Sequence, residues 1–537
     1  MRLSRLALLP LVCAISASGA DPKVDALFAA YDKPDSPGCA LGVVQHGALV
    51  YKRGYGMADL HHDIPITTRS VFHVASLSKQ FTAASIVLLA LDGKLTLDDP
   101  VKKHLPEFPE FAGGPITLRH LIHHTSGLRD QWMLLILSGW RLGEDVVRDE
   151  DILHLVNRQR DLNFTPGSEM LYSNTGYTVL AQVVKRVSGK SLREFTTERI
   201  FRPLAMKQTF FRDNLEVVKG LAFGFLQRMS GGFGQADPDF DTTGASSLMT
   251  TVEDLARWDA ELRVPKVLGA RWRKQMEEPY TLTNGEKTAY RFGLVSGIHR
   301  GRKVLEHSGG DAGYRSHLLQ YPDHDLSVIC LCNTSANPGA LARKTAEVFF
   351  GDAPEATPPK RPTVTLQASQ LAPHAGLYWN PKDEEIYRVA LRDGQLQLHF
   401  GPDDHKLEAL DGATFQSGGI EIRFDNGGAM LQLPGSRKAE RLEKKEEFQP
   451  DAKALASFTG DYYSPELDVT YRLAVKDGKL QLDRPKLRTH SVEPTFADAF
   501  YARFLGFLRF ERDRTGRPAA FRLTSERFRH IRFERRP

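Results

Sequence analysis

Val71-Phe-His-Val-Ala-Ser-Leu-Ser-Lys-Gln-Phe-Thr-Ala-Ala-Ser-Ile-Val-Leu-Leu-Ala90 is the stretch on which the reading of this 537-residue chain turns. From Ser76 to Leu91 good helix formers and apolar residues dominate, and Asp92-Gly93 supplies a stop where glycine takes positive φ. A buried helix is predicted, with Ser76 in its first turn. Free backbone N–H groups and the positive end of the helix dipole there favour a developing negative charge. Lys79 follows three residues later, so its amine projects from the same face as the Ser76 hydroxyl. Serine and lysine three apart also arise by chance in a long chain, so the weight of this Ser-x-x-Lys pattern rests on its surroundings.

A serine hydroxyl needs a base within hydrogen-bond reach, and a lysine serves only where burial or a neighbour holds its amine neutral. Leu171-Tyr-Ser-Asn-Thr175 follows a turn at Phe164-Thr-Pro-Gly167 and precedes a helical pattern. In it, Tyr172 is a candidate for the proton path between Ser76 and the leaving group, and Asn174 for orienting substrate and Lys79. Val304-Leu-Glu-His-Ser-Gly-Gly310 sets His307 and two glycines at a strand end. A substrate backbone can lie close against such an edge, formed by Ser308, Gly309 and Gly310. The Gly310 N–H is the candidate partner of the Ser76 N–H in an oxyanion hole. Trp132, in Ser126-Gly-Leu-Arg-Asp-Gln-Trp132, joins these as a substrate-contact candidate. A lone Tyr or His is more often structural than catalytic, but the four residues in this order support one another.

Composition is that of an ordinary globular protein, 41% hydrophobic and 26% charged, and the length calls for two or three domains. The net charge of +5 is too small to argue for nucleic acid. The basic end, Arg527 to Pro537, alternates basic and apolar residues and reads as a strand with one solvated face. Residues 1–20 read as a secretory signal: Arg2 and Arg5, an apolar run from Leu6 to Ile15, then Ser18-Gly-Ala20. The expectation is an exported protein, periplasmic or secreted, and the sequence shows no other membrane segment. Cys39, Cys330 and Cys332 remain after the leader, too sparse and odd a set for a disulfide framework, and are read as small buried residues. His61-His62 and His123-His124 lack metal-ligand spacing, so neither a metal nor a cofactor is expected.

Strand patterns at Gly38 to Lys52 and at 290–333 flank a mostly helical middle, which suggests one antiparallel sheet built from both ends of a unit spanning 21–350. Residues 351–368 carry four prolines and read as a linker. Beyond them lies an internal repeat. Leu371-Ala-Pro-His-Ala-Gly-Leu-Tyr378 matches Leu455-Ala-Ser-Phe-Thr-Gly-Asp-Tyr462 at an offset of 462 − 378 = 84. Asp393-Gly394 and Asp477-Gly478 are hairpin turns at the same offset. These are two antiparallel β units, 369–450 and 451–537, forming either two barrels side by side or two halves of one. Phe496, Phe500, Tyr501, Phe504 and Phe507 crowd together in the second unit, as barrel core or as a loop leaning over the pocket.

Phe72-His-Val-Ala-Ser-Leu-Ser-Lys-Gln-Phe-Thr82, His124-Thr-Ser-Gly-Leu128, Tyr172-Ser-Asn174 and His307-Ser-Gly309 together resemble the signatures of the class C β-lactamase-related serine hydrolases. That family includes D-alanyl-D-alanine carboxypeptidases, D-aminopeptidases and esterases. The resemblance covers roughly residues 35 to 350. It implies an α/β (α+β) β-lactamase/transpeptidase-like fold, a nucleophile at Ser76 and a general base shared by Lys79 and Tyr172. Residues 126–132 and the paired C-terminal β units look most like the D-aminopeptidase branch, whose barrels shape access to the site. Class C β-lactamases carry Lys-Thr-Gly where this chain has His307-Ser-Gly309, and a neutral histidine offers a hydrogen bond in place of a fixed charge.

The expected activity is therefore an acyl-enzyme hydrolase of small esters, amides or D-amino-acid peptides. The alternatives are a sensor or binding protein that keeps the hydrolase shape, and a weak β-lactamase. The expected partner is a small-molecule or peptide substrate, with oligomeric state left open.

Overall fold

The computed structural model describes residues 21–351, 361–400, 403–434, 438–487 and 489–537. The leader and residues 352–360 of the proline-rich linker lie outside the described residues. The hydrolase-like unit is organised on a six-stranded antiparallel sheet in the order Val295–His299, Arg302–Asp311, Tyr314–Tyr321, Leu326–Cys332, Cys39–Gln45, Ala48–Tyr55. The first two strands of the chain thus pair onto the last four of the unit, and the helical middle is an insert, as the strand patterns predicted. His46-Gly47, both at positive φ, makes the tight turn between Cys39–Gln45 and Ala48–Tyr55.

Alternation along these strands gives the sheet two buried faces. Leu41, Val43, Val328 and Cys330 pack under the helices Pro22–Phe28 and Pro338–Phe350. Ala40, Leu318, Ile329 and Leu331 face the helical insert. The insert is centred on the helix Ser78–Leu91, in which every residue from Ser78 to Leu89 is buried. A helix buried on all sides belongs in a core, and this one is enclosed by the helices Asn174–Ser188, Leu192–Thr196 and Ala270–Met276.

The cysteine expectation is corrected here. Cys39 and Cys332 form a disulfide, and Cys330 is a buried free thiol 3.7 Å from the Cys332 sulfur. The pairing follows from strand order: the sheet sets Cys39 directly opposite Cys332, a register between the first and last strand patterns that spacing alone does not reveal. The three sulfurs lie together, but as a disulfide and a thiol they offer no set of three thiolates.

The two β units are separate bodies, each with its own sheet. In the first, nine strands run from Asp403–Lys406 at one end of the order to Glu408–Ala409 at the other, and only Leu407 separates these end strands in the chain. In the second, eight strands from Gly460–Ser464 to Phe528–Arg535 form a closed barrel. The repeat is visible in bonding as well as in sequence. The Tyr378 hydroxyl donates to the His374 carbonyl and the Tyr462 hydroxyl to the Phe458 carbonyl, each at 2.9 Å. Asp393-Gly394 and Asp477-Gly478 adopt positive φ in both copies.

The barrel is docked on the hydrolase-like unit. Its core is continuous with the helical insert, and the Tyr471 hydroxyl donates to the Leu137 carbonyl at 2.7 Å. Arg129, 1% exposed, donates to Glu466 at 2.5 Å and to the Arg529 carbonyl at 3.0 Å. Three of the five clustered aromatics serve this architecture, while Tyr501 and Phe504 are exposed. Phe500 fills the barrel core against Phe458 and Phe510, while Phe496 and Phe507 pack on Trp379 of the first β unit.

Candidate active site

Ser76 lies in a short 3-10 turn, Ala75–Leu77, immediately before the helix Ser78–Leu91, rather than inside the helix as predicted. Ala75 adopts φ 47°, a left-handed conformation unfavourable for alanine, so the chain makes a sharp bend just before Ser76. Neighbours hold the bend. The Ser78 hydroxyl donates to the Ala75 carbonyl at 2.5 Å and accepts from the Leu248 N–H at 3.2 Å, and Ser316 Oγ donates to the Val74 carbonyl at 2.8 Å. Ser76 is left half-buried, with its hydroxyl reachable.

Lys79 is fully buried beside it. Its amine lies 3.0 Å from Ser76 Oγ, 2.8 Å from Asn174 Oδ1 and 2.9 Å from the Ala245 carbonyl. Burial pulls the amine down to about 7; Asp130 and Asp311 work against that fall, and Arg527 adds to it. The Tyr172 ring centroid is 4.9 Å from the Lys79 nitrogen, and its hydroxyl is within the influence of the Ser76 hydroxyl. Burial raises the Tyr172 hydroxyl well above the usual phenol range, so it stays protonated as a donor. Serine, lysine and tyrosine therefore converge from a turn, a helix and the loop ahead of a second helix.

The strand Val295–His299 pairs only with residues 302–306 of its neighbour. Past Glu306, the stretch His307 to Asp311 keeps one open edge, and that stretch packs on the Ser76 turn. Gly309 is pressed against it: a Cβ there would come within 2.3 Å of the Val74 carbonyl and 3.1 Å of the Ser76 nitrogen. Ser308 and Gly310 are exposed on the same edge. His307 Nδ1 lies 2.7 Å from the Ser308 carbonyl, which fixes that nitrogen as the donor, so Nε2 accepts from the Tyr290 hydroxyl at 3.1 Å. Burial, aided by Lys79, lowers His307 to about 3, so the imidazole is neutral at any working pH. Trp132 is set further out, packed on Phe240 at 4.9 Å between ring centroids.

Several contributors have no role that the sequence patterns assign. Asp130 caps the helix Gln131–Leu137 and accepts from both the backbone and the side-chain amide of Asn174, each at 2.8 Å. Aspartate just ahead of a helix reads as a cap, which conceals this second task. The neutral His124 ring lies 4.2 Å from that of Tyr172, and Tyr290 and the Ala245 carbonyl come from distant loops. Arg527, at the tip of a barrel hairpin, places its guanidinium carbon 5.6 Å from the centroid of the Tyr172 ring.

The sequence profile of the Beta-lactamase family matches residues 24–353. The chain belongs to the beta-lactamase family. A D-aminopeptidase of Gluconobacter oxydans (strain 621H) is 25% identical over 445 residues, covering 82% of each chain. A penicillin-binding protein of Bacillus subtilis (strain 168) is 31% identical over 386 residues, 66% of this chain and 84% of its own. The octameric penicillin-binding protein homologue from Pyrococcus abyssi superposes with a TM-score of 0.58 at 22% identity, over 87% of this chain and 99% of that one. The chain is thus a serine hydrolase of this family, and D-aminopeptidases are among its relatives. The match to the Pyrococcus structure extends the shared fold past the hydrolase-like unit into the β units.

Proposed function

We propose that the protein is exported and hydrolyses small amides and peptides of D-amino acids, with simple esters as secondary substrates, through an acyl-enzyme on Ser76. The observation that carries this reading is the 3.0 Å contact between Ser76 Oγ and an amine lowered to about 7 by burial. A neutral Lys79 takes the Ser76 proton as Oγ attacks the substrate carbonyl carbon. The N–H groups of Ser76 and Gly310 hold the oxyanion that forms. As the C–N bond breaks, Tyr172 gives its proton to the leaving nitrogen and regains one from Lys79. Water then attacks the acyl-enzyme by the reverse proton path and releases the acid. Asn174 holds the Lys79 amine in line, and Ser308, Gly309 and Trp132 border the substrate.

The D-aminopeptidases among the relatives support D-amino-acid substrates. The neutral His307, where a class C β-lactamase has lysine, argues against efficient β-lactam turnover. Export is supported by the reading of residues 1–20 and by a disulfide of the kind that persists in oxidising compartments. Among the described residues, no helix is long and apolar enough to cross a membrane. The test is intact-mass labelling with a fluorophosphonate, together with turnover of D-alanine p-nitroanilide and p-nitrophenyl acetate. The wild type is expected to take one label and to prefer the anilide. Ser76→Ala is expected to take none and to lose roughly 10²-fold or more in turnover. Equal labelling of Ser76→Ala overturns the assignment.

A further inference from the structure

The second β unit brings one formal charge to the pocket. Its last two strands, Pro518–Ser525 and Phe528–Arg535, are joined by the turn Glu526-Arg527. The backbone of this turn is fastened to the hydrolase-like unit: the Arg527 carbonyl accepts from the Asp130 N–H and from Asn163 Nδ2, each at 3.3 Å. Two residues on, the Arg529 N–H donates to Asn163 Oδ1 at 2.7 Å. The tip is therefore tied to Asp130, the same residue that holds Asn174 against Lys79.

The arginines around this tip are paired. Arg129 meets Glu466, and Arg529 meets Glu169 at 3.3 Å. Arg527 differs: among the described residues its guanidinium has no ion-pair partner, and its neighbour Glu526 is exposed to solvent. A partly buried guanidinium with only a ring face and no anion beside it suits a site whose anion arrives with the ligand. His307 and His124 cannot supply a positive charge, since burial keeps both neutral. Lys79 is committed to Ser76, Asn174 and the Ala245 carbonyl.

Position decides which end of a substrate Arg527 meets. It lies over the ring of Tyr172, the residue that, on the reading above, delivers a proton to the leaving nitrogen. A group bound by Arg527 therefore belongs to the departing amine. We propose that Arg527 is a specificity-determining anchor for a free carboxylate on the leaving group, so that the preferred substrates release an amino acid or peptide rather than ammonia or a neutral amine. This rests on the hydrolase reading and narrows it, since a D-amino-acid amide presents no such carboxylate.

The test separates binding from turnover. Calorimetry on the Ser76→Ala protein compares D-alanyl-D-alanine with its C-terminal amide. The free acid is expected to bind about 10-fold or more tightly than the amide. That preference is expected to disappear in Ser76→Ala/Arg527→Gln and to be partly kept in Ser76→Ala/Arg527→Lys. In the protein with Ser76 intact, Arg527→Gln is expected to lower the acid-to-amide ratio of kcat/KM by a similar factor, chiefly through KM. Equal affinity for acid and amide, binding of neither, or an equal loss of both in the Gln variant overturns the proposal. Wild-type turnover by Ser76→Ala would instead overturn the parent reading, and the calorimetric preference still decides the role of Arg527.

Discussion

Asp130 Oδ2 accepts from both the backbone N–H and the side-chain amide of Asn174, at 2.8 Å each, and so leaves the amide oxygen of Asn174 no direction but toward Lys79. One carboxylate thus sets the acceptor that aligns the lysine, and its charge also acts on that lysine. Burial lowers the Lys79 amine to about 7, and Asp130 is the larger of the two attractions opposing the fall. In Asp130→Asn the amine loses this attraction, its pKa drops further, and the neutral form survives to lower pH. The acid limb of the kcat/KM profile, expected near pH 7, should move to more acid pH while kcat falls about 10-fold from the misaligned amide. A limb that stays in place or moves upward contradicts this account.

Arg527 acts on the same amine with the opposite sign. Removing its repulsion in Arg527→Gln raises the Lys79 pKa, so the acid limb moves to higher pH. Opposite displacements in the two variants, measured on one neutral substrate, would show both groups acting through Lys79.

Gly309 is required by contact rather than by conformation. A Cβ there meets the Val74 carbonyl at 2.3 Å and Ser316 Oγ at 2.4 Å, so Gly309→Ala must push the strand edge off the Ser76 turn. The expected loss is about 10²-fold in kcat with a small change in melting temperature. A variant that melts early but keeps its kcat would place the role of this glycine in folding alone.

Arg129 and Glu466 form a buried ion pair between the hydrolase-like unit and the barrel. Removing one member leaves the other charge buried and unpaired, at a cost of about 3–5 kcal/mol. Glu466→Gln is therefore expected to lower the unfolding midpoint in urea. It is also expected to loosen the Arg527 turn, since Arg129 holds the Arg529 carbonyl. The preference for a leaving group with a free carboxylate should fall as well.

The Cys39–Cys332 disulfide closes a loop across a sequence separation of 293 residues. Chain-entropy estimates for so long a loop give about 6 kcal/mol. Cys39→Ser is expected to lower stability by up to that amount in denaturant titration. Activity of the folded protein should be little changed, because the bridge lies on the sheet face away from the helical insert.

The chemistry around Ser76 was legible because it sits in short local patterns: Ser76 and Lys79 on one helical turn, Tyr172 and Asn174 before a helix, His307 to Gly310 at a strand end. The sheet order was legible for a related reason, since β alternation at both ends of the unit left few other pairings. What escaped depends on register between distant segments. Nothing near Cys39 announces Cys332, and nothing in a basic terminal strand marks Arg527 as the residue at its turn. By composition the aromatic cluster at 496–507 fits either a barrel core or a loop over the pocket; closed barrels need bulky interiors, and Phe500 serves that need while Phe504 is exposed. Ser76 itself stands in a 3-10 bend rather than an α-helical turn because the left-handed Ala75, held from Ser78 and Ser316, is a tertiary effect no propensity scale contains.

The hairpin that carries Arg527 lies almost at the end of the chain, whereas Ser76 lies near its beginning. A ribosome therefore delivers the nucleophile and its lysine long before the guanidinium beside them. The emerging polypeptide can assemble its reactive serine while the last two barrel strands are still unmade, and only a finished chain carries the full pocket. Proteolytic nicking or an early stop codon near the terminus would then remove Arg527 together with the strand that closes the barrel.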